Sequence, residues 1–166
     1  MVYMTQTIVA FFSSFPPELA TFLMGATPIG EIRLALPVAV LAYKLPIWEA
    51  FFWAVAGNMI PVTIILAFAK YFHAWIHKRA GWFASAWVKT LDRTQHKFAG
   101  DYQKYGLIAL IIFVGIPLPG TGAWTGAVAA FIFALPFGKS WLAILAGVII
   151  SGLATLLITL GAGKIF

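Results

Sequence analysis

Two uninterrupted apolar runs constrain this chain more than any other feature. Ile47 to Ala69 is 23 residues long with Glu49 as its only ionisable side chain, and Trp141 to Ala162 carries none at all. As a helix the first run rises ~34 Å, enough to cross a hydrocarbon core about 30 Å thick. Hydrophobic residues make up 62% of the 166 positions and charged residues 10%. A soluble domain carries about 25% charged residues to cover its surface. Too few polar side chains are present here, so lipid has to serve as solvent over most of the surface. The expected class is an all-α integral membrane protein, one membrane domain over residues 1–166, multi-pass in the cytoplasmic (inner) membrane. Met1 to Glu18 holds no Lys or Arg, so this stretch is not read as a secretory signal.

The remaining apolar stretches are broken. Leu107 to Ile116 stops at Pro117-Leu-Pro-Gly-Thr-Gly122, and Ala123 to Leu135 then resumes; Leu19 to Ala26 and Ile32 to Ala42 flank Thr27-Pro-Ile-Gly30. Each half rises roughly 15–20 Å or less as a helix, too short to span alone. Proline and glycine at the breaks remove donors and favour turns. The pattern predicts two re-entrant helical hairpins, with one kinked span per stretch as the alternative.

The halves also repeat. Leu45-Pro46 and Leu135-Pro136 sit 90 residues apart, as do Ala56-Gly57 and Ala146-Gly147, Gly30 and Gly120, Ala39 and Ala129, and Leu66 and Leu156. Each half reads as a hairpin, a Leu-Pro turn and a full span: repeat 1 over about 18–69 and repeat 2 over about 105–166. Between them, residues 70–104 carry seven Lys and Arg against two Asp. A basic stretch joining apolar halves reads as a cytoplasmic, interfacial connector rather than a nucleic-acid site. The first span then runs inward and the second outward, an inverted repeat of the kind that places transporter sites at the repeat interface.

Gly30-Glu-Ile-Arg33-Leu-Ala-Leu-Pro37, Gly57-Asn-Met-Ile-Pro61 and Pro117-Leu-Pro-Gly-Thr-Gly-Ala-Trp124 resemble the small multidrug export protein family, over roughly Ala26 to Phe166. That family is in turn distantly similar to the DedA and VTT membrane proteins, which are associated with lipid transport or scrambling. The resemblance implies two opposed re-entrant hairpins.

Glu31 and Arg33 are the leading site candidates. Ionisable residues at membrane depth cost about 2.5–3.5 kcal/mol each on insertion scales and mark ion or substrate pathways. Glu31 would carry a proton, and the planar fork of Arg33 would hold an anionic head group. The competing reading is a Glu–Arg staple that fixes the hairpin. At the second break, Pro117, Pro119, Gly120, Thr121, Gly122 and Trp124 would offer free helix-end amides to an anion, or make only a tight turn. Asn58 would line a cavity or bond to a neighbouring helix. Ala143, Gly147, Ser151, Thr155 and Thr159 recur every four residues, a packing seam within the chain or in a homodimer. His73 and His77 share a helix face without a third ligand, so no metal site and no cofactor are expected. No Ser/His/Asp set is apparent, and no enzymatic activity is expected. The expected function is a transporter, proton-coupled, moving an anionic or amphipathic substrate among membrane lipids. Its alternatives are export of amphipathic drugs and a non-transporting scaffold.

Overall fold

The computed structural model describes residues 12, 14–76, 102–118, 120–133 and 135–162. Every regular element among them is helical: α1 (Pro17–Ala26), α2 (Glu31–Pro37) running into a π-helical turn (Val38–Ala42), α3 (Ile47–Ile76), α4 (Tyr102–Gly115), α5 (Ala123–Ile132) and α6 (Phe137–Ala162). Residues 77–101 of the basic connector, His77 and Pro119 lie outside the described residues.

Local chemistry sets these boundaries. Pro17 opens α1 from the first helical position, where its missing N–H has no partner to lose. Thr27, held extended before Pro28, closes it and returns its N–H to Met24 O. The Thr27 hydroxyl then donates to Met24 O at 2.8 Å and accepts from the Gly30 N–H at 3.0 Å, fixing the four-residue turn into α2. Pro37 removes a donor inside α2, and the widened π turn follows at once. In both halves a proline carbonyl starts the long helix: Pro46 O accepts from the Ala50 N–H and Pro136 O from the Ser140 N–H, each at 2.9 Å.

Only α3 and α6 contain windows long and apolar enough to cross a membrane among the described residues: Ile47–Ala69 and Phe137–Gly161. They run antiparallel. The Trp141 indole near the start of α6 donates to the Thr63 hydroxyl of α3 at 3.0 Å, while Gly152 farther along α6 packs on Phe51 near the start of α3. Large apolar side chains line the outer faces of both, with Ile64 63% and Leu157 73% exposed. A monomeric soluble protein rarely shows contiguous apolar patches this large, and such faces suit lipid.

The shorter helices pack on this pair in a regular way. The first helix of each half lies along the span of its own half, α1 on α3 and α4 on α6. The second, α2 or α5, contacts its own span and also the span of the other half. Glycines make the closest approaches. A Cβ on Gly25 would stand 2.7 Å from Ala54 O, and one on Gly57 would meet the Phe22 carbonyl. At the matching place in the second half, a Cβ on Gly147 would stand 2.7 Å from the Val114 Cβ. Met24, Ile32, Leu36, Val62, Leu66, Val114, Ile144 and Val148 fill the interior between these contacts. The small-residue ridge of α6 faces inward: Ala143, Gly147, Ser151, Thr155 and Thr159 are all buried, and that seam is taken up within the chain.

Candidate functional site

The two broken segments meet. Arg33, on the first turns of α2, reaches across to the segment between α4 and α5 and surrounds itself with oxygen. Its Nη2 donates to Ile116 O at 3.1 Å, Thr121 O at 3.1 Å and Thr121 Oγ1 at 3.2 Å. Its Nη1 donates to Leu118 O. These carbonyls belong to the turn that follows α4, which ends at Gly115; Ile116 O also accepts from the Leu118 N–H at 2.8 Å and Leu118 O from the Thr121 N–H at 3.3 Å, so Arg33 adds to a turn already bonded within itself. Thr121 organises them: its hydroxyl lies 2.8 Å from Ile116 O and 2.9 Å from Leu118 O, so one hydrogen is shared between two acceptors.

Glu31 makes the complementary contact. Its carboxylate lies at the N-terminus of α5, where the Trp124 amide donates to Oε1 at 3.5 Å. The residue is 8% exposed. Gly122 caps α5 without a side-chain bond, and a Cβ there would overlap the Glu31 carboxylate. Thus glycine at 122 is what admits the charge. A carboxylate at this place is favoured by the partial positive charge of the α5 N-terminus. Glu31 sits at φ +44°, a left-handed conformation uncommon for a residue with a side chain. Backbone held in such a region is tolerated where the surroundings determine it strongly.

The pairing therefore differs from the competing reading of a Glu31–Arg33 staple. Among the described residues the two charges form no ion pair. Each instead addresses the opposite break, the cation on helix-end carbonyls and the anion on a helix-start amide. The second-break amides expected to stand free for a ligand include that of Trp124, which faces Glu31.

Other candidates fall around this centre. Pro117 and Gly120 are exposed at the tip, and Gly120 adopts φ +84° with open space around a would-be Cβ. There the positive φ, not crowding, requires glycine. Asn58 is 1% exposed against the last turn of α1, its backbone nitrogen opposite Gly25. Its Oδ1 has no hydrogen-bond partner, nor do the Nε of Arg33 and the indole nitrogen of Trp124. Asn58 is thus beside the first break, with no hydrogen bond among the described residues tying it to the tip. No group of three or more His, Cys, Asp or Glu suited to a metal ion occurs among the described residues.

Sequence reasoning missed the Ile116 and Leu118 carbonyls, because a side-chain pattern says nothing of which carbonyls a turn aims at a distant side chain. The usable signal was the helix stop ahead of Pro117, after which carbonyls leave the helix ladder and can face other elements. It also missed Thr27, whose hydroxyl three residues ahead of Gly30 is the signature of a side-chain-closed turn.

Neither a curated protein nor a solved structure matches the chain. A family model described as putative small multi-drug export protein matches residues 31–154, about three quarters of the sequence and all of the meeting point but its first turn, and the chain belongs to that family.

Proposed function

We propose that this membrane protein is an inverted-repeat transporter of the cytoplasmic membrane. In this reading two re-entrant hairpins, α1–α2 and α4–α5, enter from opposite sides and touch at their tips. The substrate is anionic or amphipathic, a lipid phosphate or a small molecule, and its movement is coupled to protons through Glu31. The observation that carries the reading is the contact between the breaks: Arg33 bonds to carbonyls 83 to 88 residues away. The 90-residue repeat supports it further. Shifting Gly25 and Gly57 by that offset gives Gly115 and Gly147, glycines at the equivalent helix crossing. The antiparallel contact Thr63–Trp141 likewise corresponds to Leu153–Phe51, one residue from the observed Gly152–Phe51 approach. Two equivalent, antiparallel spans are what an inverted repeat requires.

The mechanism follows from the charges. With Glu31 ionised, its attraction to the α5 N-terminus and the grip of Arg33 on the α4 end hold the tips closed. A proton on Glu31 removes the first attraction and loosens the contact. An anionic substrate group would then take the α5 amides and Arg33 in place of the carboxylate. Release on the other side lets the tips close again. The name of the family supports export, and the exposed apolar faces suit amphipathic cargo. A non-transporting scaffold remains the second reading, favoured by one observation: Glu31 and Arg33 already bond to protein groups on both sides of the contact.

The test uses liposomes loaded with a pH-sensitive dye, an imposed proton gradient, and added lipid phosphates or cationic amphiphiles. Substrate-dependent proton movement in wild type and its loss in a folded Glu31→Gln variant are expected. The active ligand separates lipid export from drug export. Equal proton traces with and without every ligand, beside a working control transporter, would remove proton coupling. A Glu31→Gln protein that loses its fold rather than its flux would favour the scaffold.

A further inference from the structure

Arg33 holds the tips closed from inside an oxygen cage, and the reading above leaves open what meets those oxygens once the tips part. Three carbonyls, Ile116 O, Leu118 O and Thr121 O, converge with Thr121 Oγ1 on one guanidinium. All four oxygens are neutral, and all come from the unwound stretch after α4, at the negative end of that helix. Prolines at 117 and 119 add carbonyls to this stretch but no N–H, so the local backbone is rich in acceptors and poor in donors. Protein oxygens of this kind, unwound carbonyls at half-helix C-termini, suit hard monovalent cations. A divalent ion of the calcium type draws on carboxylates as well. Here the nearest described carboxylate, Glu31, is turned to the Trp124 amide.

We infer that the oxygens of Ile116, Leu118 and Thr121 form a monovalent metal-cation site, for Na⁺ or K⁺, which Arg33 fills as an internal cation while the tips touch. This rests on the transporter reading, in which the tips separate. Separation withdraws the guanidinium and leaves four convergent oxygens facing the opened cavity. A metal cation entering there stabilises the open arrangement and excludes Arg33, so ion occupancy and tip closure are mutually exclusive. The Thr121 hydroxyl contributes one ligand and holds two of the carbonyls in place.

The experiment removes the internal cation from the full chain. Unfolding of Arg33→Ala is followed in NaCl, KCl and N-methylglucamine chloride at equal ionic strength. One metal salt is expected to raise Tm by about 3 °C or more, saturably, as binding to the folded state does. The rise should vanish in Arg33→Ala/Thr121→Val, and wild type should show no rise. Identical Tm values in the three salts, or a rise that survives Thr121→Val, would overturn the site. Should Arg33→Ala not fold, Arg33→Gln takes its place, and ²³Na and ³⁹K line broadening by Arg33→Gln and by Arg33→Gln/Thr121→Val reads the vacated site. Broadening lost with Thr121 supports the site, and absence of broadening in both overturns it. Proton flux that depends on Glu31 but not on the cation, with no Tm shift, removes the cation site and leaves the transporter standing. A Tm shift without flux does the reverse.

Discussion

Replacing Gly122 by alanine tests the tip contact most directly, because the added carbon would occupy the space of the Glu31 carboxylate. The carboxylate has to move, and with it goes the bond to the Trp124 amide. A hydrogen bond to a charged group contributes about 1.5–3 kcal/mol; at 3.5 Å the lower end applies. Loss of the helix-end interaction removes up to about 2 kcal/mol in a partly buried setting. Relaxation of the tip recovers part of this, so the expected loss is about 2–3 kcal/mol. With a shift of ~2–4 °C per kcal/mol for a chain of this size, Tm falls by roughly 4–12 °C. The assay is thermal unfolding in detergent followed by tryptophan fluorescence. Gly138→Ala serves as control, since a Cβ there meets nothing within 4 Å. A double-mutant cycle with Glu31→Ala isolates the cause. The two losses should fall short of additive by more than 1 kcal/mol, because removing the carboxylate makes room for the methyl group. An unchanged Tm in Gly122→Ala, or strict additivity with Glu31→Ala, would refute the reasoning.

Further outcomes follow from the same contacts. Thr121→Val keeps the volume but removes the hydroxyl that ties Ile116 O and Leu118 O, and should lower stability by about 1–3 kcal/mol in chemical unfolding. Gly57→Ala drives a Cβ into the Phe22 carbonyl and should cost about 1–3 kcal/mol, read as reduced yield of monodisperse protein together with a lower Tm. Asn58→Leu replaces a buried carboxamide whose oxygen has no partner, so stability should hold or rise by up to about 1 kcal/mol. Retained stability with lost liposome flux would show that Asn58 faces cargo. Trp141→Phe removes the bond to Thr63 that joins the two spans, with an expected loss of about 0.6 kcal/mol on double-mutant measurement against Thr63→Val.

Much of the architecture was legible because lipid and proline leave strong marks. The long apolar runs located α3 and α6, and the Pro/Gly breaks located the ends of α1, α2, α4 and α5 within a few residues. Thr121, Gly122 and Trp124 were legible as a group from their shared break, and Glu31 and Arg33 from their depth in an apolar stretch. How the charges pair was not. Two residues apart on one helix, Glu31 and Arg33 suggest each other as partners, and only the tertiary contact reveals that each answers a helix end some 90 residues on. The necessity of Gly122 was hidden for the same reason: its neighbour in space is not its neighbour in sequence.

The long-range character of the tip contact has a consequence during synthesis. Arg33 leaves the ribosome 88 residues ahead of Thr121. At roughly 5–20 residues per second, that interval is about 4–18 seconds. Throughout it the α1–α2 segment carries a carboxylate and a guanidinium, while the amide and carbonyls that later satisfy them do not yet exist. Burying that segment in lipid before the second break is made would cost about 2.5–3.5 kcal/mol for each charge on insertion scales, which favours a wet setting for it in the interval. The second half thus lowers the cost of burying the first.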